Sequence, residues 1–248
     1  MADIGPIRGR RFGRMHGRFD RTASVRLKRL LVAGLCRCGG GDLPDLAREA
    51  VDILERVADR LDPPTALLAM ADRLRREAGR LSAPLEEARR SAYAEGHPYL
   101  SPEAASGTPA DREARLLRDF ADIVRDAARD RPDLWRPIVE LRRLAIGEHV
   151  LDPGSVSADE IRARMTGVLT DLVVTTLGPI SFDPRWRTGD VLGLARGIYD
   201  DRAFNRIPIL ADALIDAGCD RSRIIDHCRE PGPHYRGCWV VDAALGLR

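Results

Sequence analysis

Between Asp42 and Leu61 the apolar residues fall at positions 43, 46, 50, 53, 54, 57 and 61. That spacing follows the 3.6-residue turn of an α-helix and puts one greasy stripe opposite a face of acids and arginines. A segment so patterned has to bury its stripe against other helices or a sheet. The supply of core-forming residues decides which. Aromatics make up 5% of the chain, so the core is built from Leu, Ala, Val and Ile, which favours packed helices. The expected fold is all-α: a helical bundle followed by a small helical C-terminal module.

The same reading extends along the chain. Thr22 or Ser24 caps a helix carrying Val25, Leu27, Leu30, Leu31 and Leu35, which "CRCGGG" stops at Cys36 to Gly41. Cys36 and Cys38 lack the second pair that gives zinc spacings their force, and read as incidental thiols at a glycine stop. After "DPP" at 62–64 a helix runs to about Leu81, and Ser82 caps a shorter one over 83–95. Residues 96–110, with three prolines and two glycines, form a loop that displays His97 and Tyr99. Asp111 to Asp130 is helical, Asp133 caps Leu134 to Ile146, and Ser157 with Glu160 makes a capping box for the next helix. The stretch 172–182 is β-branched and reads as a frayed helix end or one short strand. The expected divisions are a tail over 1–21, a bundle over 22–178 and a module over 180–248.

Charge is unevenly placed. Residues 1–30 carry nine Arg and Lys against Asp3 and Asp20, a net +7 within a chain of +2 overall. Glycines at 5, 9, 13 and 17 would cost a helix there roughly 3–4 kcal/mol, so residues 1–21 read as a disordered basic tail. Its arginines Arg8, Arg10, Arg11, Arg14 and Arg18 are the positions that would meet nucleic-acid phosphates. No apolar run reaches about 18 residues, which excludes a membrane partner, and no secretory signal is legible. Five cysteines do not make a disulfide framework, and the expected location is the cytoplasm.

From about residue 180 turn residues and aromatics become denser. Thr188 caps a helix through Ile198, "YDDRAFNRIP" turns the chain, and Ile207 to Ala217 is a helix stopped by Gly218. Asp220 or Ser222 caps a helix ending near Cys228, "EPGP" breaks it, and a last helix starts between His234 and Gly237. The strings "FDPRWRT", "ARGIYDDRAF", "PILADALIDAGC" and "HCREPGPHYRGCWVVDAALG" resemble a C-terminal segment that recurs in uncharacterised proteins of planctomycetes and related bacteria. The resemblance covers Ile180 to Arg248 and implies a portable module, with no activity and no catalytic residues attached to it.

That module holds the chain's one dense set of ligand-type side chains. Cys219, His227 or Cys228, His234 and Cys238 offer four soft or borderline donors for zinc, the one cofactor the sequence suggests. The expected ligand set is Cys219, Cys228, His234 and Cys238. Against it, adjacent residues on a helix point about 100° apart, so His227 and Cys228 do not face one ion together. Seven residues separate Cys219 from His227 and five separate Cys228 from His234, which match no common zinc knuckle. The first reading is therefore a helix junction, with Cys219 and Cys238 packed as small hydrophobes and His234 capping a helix. A thiol beside an imidazole, oriented by Asp226 or Asp242, is the enzymatic alternative, a cysteine- or metal-dependent hydrolase. No glycine-rich phosphate loop, HExxH or GxSxG accompanies it. The leading expectation is a non-enzymatic protein that binds other proteins; the other is a zinc-stabilised nucleic-acid binder.

Overall fold

Helix follows helix along the chain. The computed structural model describes residues 23–38, 43–95, 108–130, 132, 158–173, 181–230 and 232–247. These contain nine α-helices: α1 (Val25–Cys38), α2 (Asp45–Ala58), α3 (Thr65–Ala94), α4 (Pro109–Ala127), α5 (Ala158–Val173), α6 (Gly189–Asp200), α7 (Ile207–Asp216), α8 (Ser222–Arg229) and α9 (Trp239–Leu245). Short 3-10 turns stand at Pro184–Trp186 and Phe204–Arg206, and no strand occurs among the described residues. The all-α expectation holds. Several expectations fall outside the described residues: the tail with its five arginines, the loop bearing His97 and Tyr99, the helix at 134–146, Ser157, and residues 174–180 of the stretch 172–182 read as a frayed helix end or short strand. None of the described helices is long and apolar enough to cross a membrane.

The chain divides into two compact units, Leu35–Arg162 and a second made of Met1–Gly34 with Ala163–Arg248. In the first, α3 and α4 share the most extensive contact and α2 packs across both. Arg75 pairs with Asp122, and Arg125 with Asp72, so the two helices run antiparallel. Ala47, Ala50, Leu54, Leu67, Ala71, Leu74, Leu117 and Phe120 form the fully buried interior. Each buried Leu or Phe contributes about 1.5–3 kcal/mol relative to exposure. The stripe foreseen on α2 is turned slightly: Ala47 and Val51 face inward, Leu46 and Ile53 are half-buried, and Leu61 is 65% exposed.

Two helix boundaries differ from expectation. Ser82 does not start a new helix, because its hydroxyl is used up inside α3. It donates to the Gly79 carbonyl and accepts from Arg118 of α4. The helix runs on through Pro84 to Ala94, solvent-facing, with Glu86–Arg89 and Glu87–Arg90 pairs one turn apart. Helix α4 begins before Asp111. Thr108 accepts from the Asp111 amide, and the Asp111 carboxylate accepts from the Thr108 amide, with Pro109 at the first helical position. That reciprocal bonding, foremost the Thr108 hydroxyl, holds the Asp111 carboxyl below its ordinary range.

In the second unit α9 lies innermost. Six of its seven residues, Trp239 to Ala244, are buried, as expected of a helix covered on all sides. It shares one apolar core with Val191, Ala195 and Ile198 of α6, Leu210, Ala211 and Leu214 of α7, and Ile224 and Cys228 of α8. Its one acid, Asp242, is held by Arg26 of α1 at 2.5 and 3.2 Å, and the same guanidinium reaches the Tyr199 hydroxyl at 2.8 Å. Thr188 caps α6 and Gly218 ends α7 at φ +82°, as the sequence predicts. Neither Asp220 nor Ser222 caps α8, whose N-cap is Arg221 without a side-chain bond. The last helix starts at Trp239, beyond the predicted 234–237, because residues 235–238 form a tight turn closed by the Cys238 amide on the Tyr235 carbonyl at 2.9 Å.

Candidate metal centre

Gly237 makes that turn. Its φ of +91° is a conformation that side-chain-bearing residues rarely adopt. A Cβ there would also stand 2.9 Å from Leu172 of α5 and 3.2 Å from Leu30 of α1. Bare backbone therefore lets the turn settle against both helices. Gly167 does the same one turn earlier on α5, where a Cβ would meet the Pro233 carbonyl at 3.2 Å. Asp171, next to Leu172, there meets His234 and the turn that ends in Cys238, while His227 enters from the last turn of α8.

The four side chains meet. Asp171 Oδ1 lies 2.8 Å from His234 Nδ1 and 3.1 Å from His227 Nε2. Cys238 Sγ lies 3.3 Å from His227 Nε2 and 3.9 Å from His234 Nδ1. One donor atom from each residue falls within 4.8 Å of every other. Asp171 is 2% exposed, His227 7% and His234 9% at the side chain. The imidazoles pack edge to face with centroids 4.9 Å apart, and Trp239 lies against His227 at the same separation.

Electrostatics follow from burial. Desolvation alone would push the Asp171 carboxyl up, but hydrogen bonds from His227 and His234, with their charge, outweigh it and hold the group below its ordinary value. Its second oxygen accepts from the Tyr235 amide at 2.8 Å. The Cys238 thiol is pushed well above its ordinary value, first by burial and then by the Asp171 charge, against the backbone amides of Val241 and Val240, which favour thiolate. His234 Nε2 and Trp239 Nε1 are buried without a hydrogen-bond partner among the described residues.

Of the ligands expected from sequence, His234 and Cys238 belong to the cluster and Cys219 and Cys228 do not. Cys228 follows His227 on α8, so its sulfur points about 100° away, into the apolar core. Burial raises its thiol to about 12. Cys219 packs in the same core after Gly218, and burial raises its thiol also. His234 does not cap a helix; its ring faces Asp171 instead. Cys36 and Cys38 are buried near the end of α1, and burial takes Cys36 to about 12. No disulfide joins any of the five cysteines. The cluster residue that the sequence did not reveal is Asp171. It lies 56 residues before His227 in an ordinary helical pattern, and the only signal for it was an acid at a position that the helix stripe buries.

The arrangement discriminates between two chemistries. A nucleophilic relay needs the histidine to face its thiol with one ring nitrogen and its carboxylate with the other. Here each ring turns the same nitrogen to both Asp171 and Cys238. Four donor atoms gathered within 4.8 Å of one another are a set that could hold a metal ion. The two acids weighed for the relay lie elsewhere: Asp226 is exposed and Asp242 is bound to Arg26. The chain matches no protein-family model, no curated protein and no solved structure.

Proposed function

We propose that this chain is a non-enzymatic, protein-binding helical protein whose second unit is organised by a bound metal ion. One observation carries the reading: Asp171, His227, His234 and Cys238 each offer one donor atom, and all four atoms lie within 4.8 Å of one another. A metal there ties α5, α8 and the start of α9 together, which suits a module of short helices whose apolar core is small. The role is structural, because four protein donors leave no position for a substrate.

The protein-binding part rests on the surface of the first unit. An open groove of about 820 Å³ there is lined by Arg73, Arg76, Arg80, Glu49, Glu77 and Glu113 among others. Arg73 pairs with Glu49 and Arg80 with Glu77 along it, and such a mixed charged rim suits a charged peptide or protein face. Five thiols outside any disulfide suit a reducing cytoplasm.

The test is thermal unfolding of tag-free protein before and after chelation. A metal-organised module loses about 4 kcal/mol or more when the ion is stripped, if the ion is present at a thousandfold over its dissociation constant. That amounts to a drop in Tm of roughly 10 °C or more for the affected transition. The Cys238→Ser variant should start near the lower value and ignore the chelator. An unchanged wild-type Tm after exhaustive chelation would refute the reading.

A further inference from the structure

We infer that the ion is a zinc-class dication in a closed tetrahedron, bound through His227 Nε2, His234 Nδ1, one Asp171 oxygen and the Cys238 thiolate. This rests on the metal-organised reading above and adds the class of ion, the ligand atoms and the closure of the site.

Charge decides the class. Bound, the set contributes one carboxylate and one thiolate, two negative charges beside two neutral imidazoles. A dication brings the buried site to zero, whereas a monovalent ion leaves a net negative charge and a trivalent ion a net positive one. An uncompensated charge in so dry a place is costly. On binding, the aqua-ion gives up its waters, Cys238 forms a sulfur–metal bond, and the thiol proton leaves to solvent, with no change of oxidation state. Calcium and magnesium prefer oxygen ligands in greater number; one sulfur and two nitrogens suit zinc and its geometric mimic cobalt(II).

Distances agree. Bonds of about 2.0–2.1 Å to nitrogen or oxygen and about 2.3 Å to sulfur give tetrahedron edges of about 3.3–3.6 Å. The sulfur edges here, 3.3 and 3.9 Å, bracket the upper figure. The carboxylate edges, 2.8 and 3.1 Å, are shorter, since Asp171 bonds directly to the rings. The remaining separations in the set extend to 4.8 Å at most, so binding spreads the carboxylate edges by a few tenths of an ångström and draws the farthest donors together by about one. One outer group is placed as metal sites require: the Tyr235 amide holds the spare Asp171 oxygen at 2.8 Å. His234 would coordinate through Nδ1, and its Nε2 is buried without a hydrogen-bond partner among the described residues, so this ring lacks the outer acceptor that metal-bound imidazoles usually have. Asp171 lies upstream of the recurrent Ile180–Arg248 segment, so the fourth ligand comes from outside it.

The test is cobalt(II) loading of the chelated full-length chain, read by absorption. The inference expects one cobalt per chain, intense visible bands of tetrahedral cobalt, and a near-ultraviolet thiolate-to-cobalt charge-transfer band. Added zinc should displace the cobalt and abolish both signals. Cobalt bound one to one with only weak octahedral bands and no charge transfer would overturn this inference and leave a metal-organised module standing. Failure to bind either cobalt or zinc would overturn both. Cys228→Ser should keep the charge-transfer band; its disappearance there would place the thiolate on the wrong cysteine and overturn the ligand assignment. The wild-type spectrum decides the matter even if Cys238→Ser does not fold.

Discussion

Asp171 ties α5 to α8 and to the segment before α9. Its two oxygens take hydrogen bonds from His227, His234 and the Tyr235 amide, from a side chain 2% exposed. Replacing it with alanine strands three buried donors, each costing about 1–3 kcal/mol when left unmade. We predict that Asp171→Ala lowers unfolding free energy by about 3 kcal/mol or more in chelated protein, measured by urea titration. A loss below about 1 kcal/mol would mean that the donors find other acceptors. At this scale half of the cluster was legible. His234 and Cys238 stood out because histidine and cysteine are scarce and close in sequence. The choice between His227 and Cys228 depended on the rotation of α8, and Asp171 on tertiary packing across 56 residues, which periodicity does not reach.

Elements follow the local rules wherever a cap or a glycine acts alone. Gly218 and Gly246, both in the left-handed region, end α7 and α9 with the amide of the next residue returned to the last turn, Cys219 to Leu214 and Leu247 to Asp242. Helix α2 closes the same way, with Leu61 bonded to the Arg56 carbonyl at 2.8 Å, but the left-handed position is Arg60 at φ 60°. A non-glycine residue there costs about 1 kcal/mol. Arg60→Gly is therefore predicted to raise stability by about 0.5–1 kcal/mol in urea unfolding, with the slope unchanged. Destabilisation would show that the Arg60 side chain makes a contact worth more than the strain. Boundaries were misread where two elements compete for one side chain: Ser82 looks like a cap in sequence and is claimed by Gly79 and Arg118.

For the whole molecule, the all-α architecture was legible because stripes, caps and a shortage of aromatics agree. Less legible was the second unit's composition, which draws the first part of α1 and most of α5 in with residues 181–247. The buried thiols give a global signature. Burial raises Cys36 and Cys228 to about 12 from an unfolded value of 9.0. A group raised in the folded state adds stability that is complete below the unfolded pKa and lost as pH climbs to the folded one. Chelated protein should therefore lose stability between about pH 9 and 12, at up to about 1.4 kcal/mol per pH unit per thiol, with Cys36→Ala and Cys228→Ala each flattening the slope. A flat profile over that range would mean that both thiols ionise freely in the folded chain.

The central claim is that Asp171, His227, His234 and Cys238 hold one metal ion. Elemental analysis of protein purified without a histidine tag tests it most directly, with Asp171→Ala, Cys238→Ser and Cys228→Ser purified alongside. We predict about one zinc per chain in the wild type and in Cys228→Ser, and none in the other two. Wild-type protein that stays metal-free after growth and dialysis with zinc, or a Cys228→Ser variant that loses its metal while Asp171→Ala keeps it, would contradict the account.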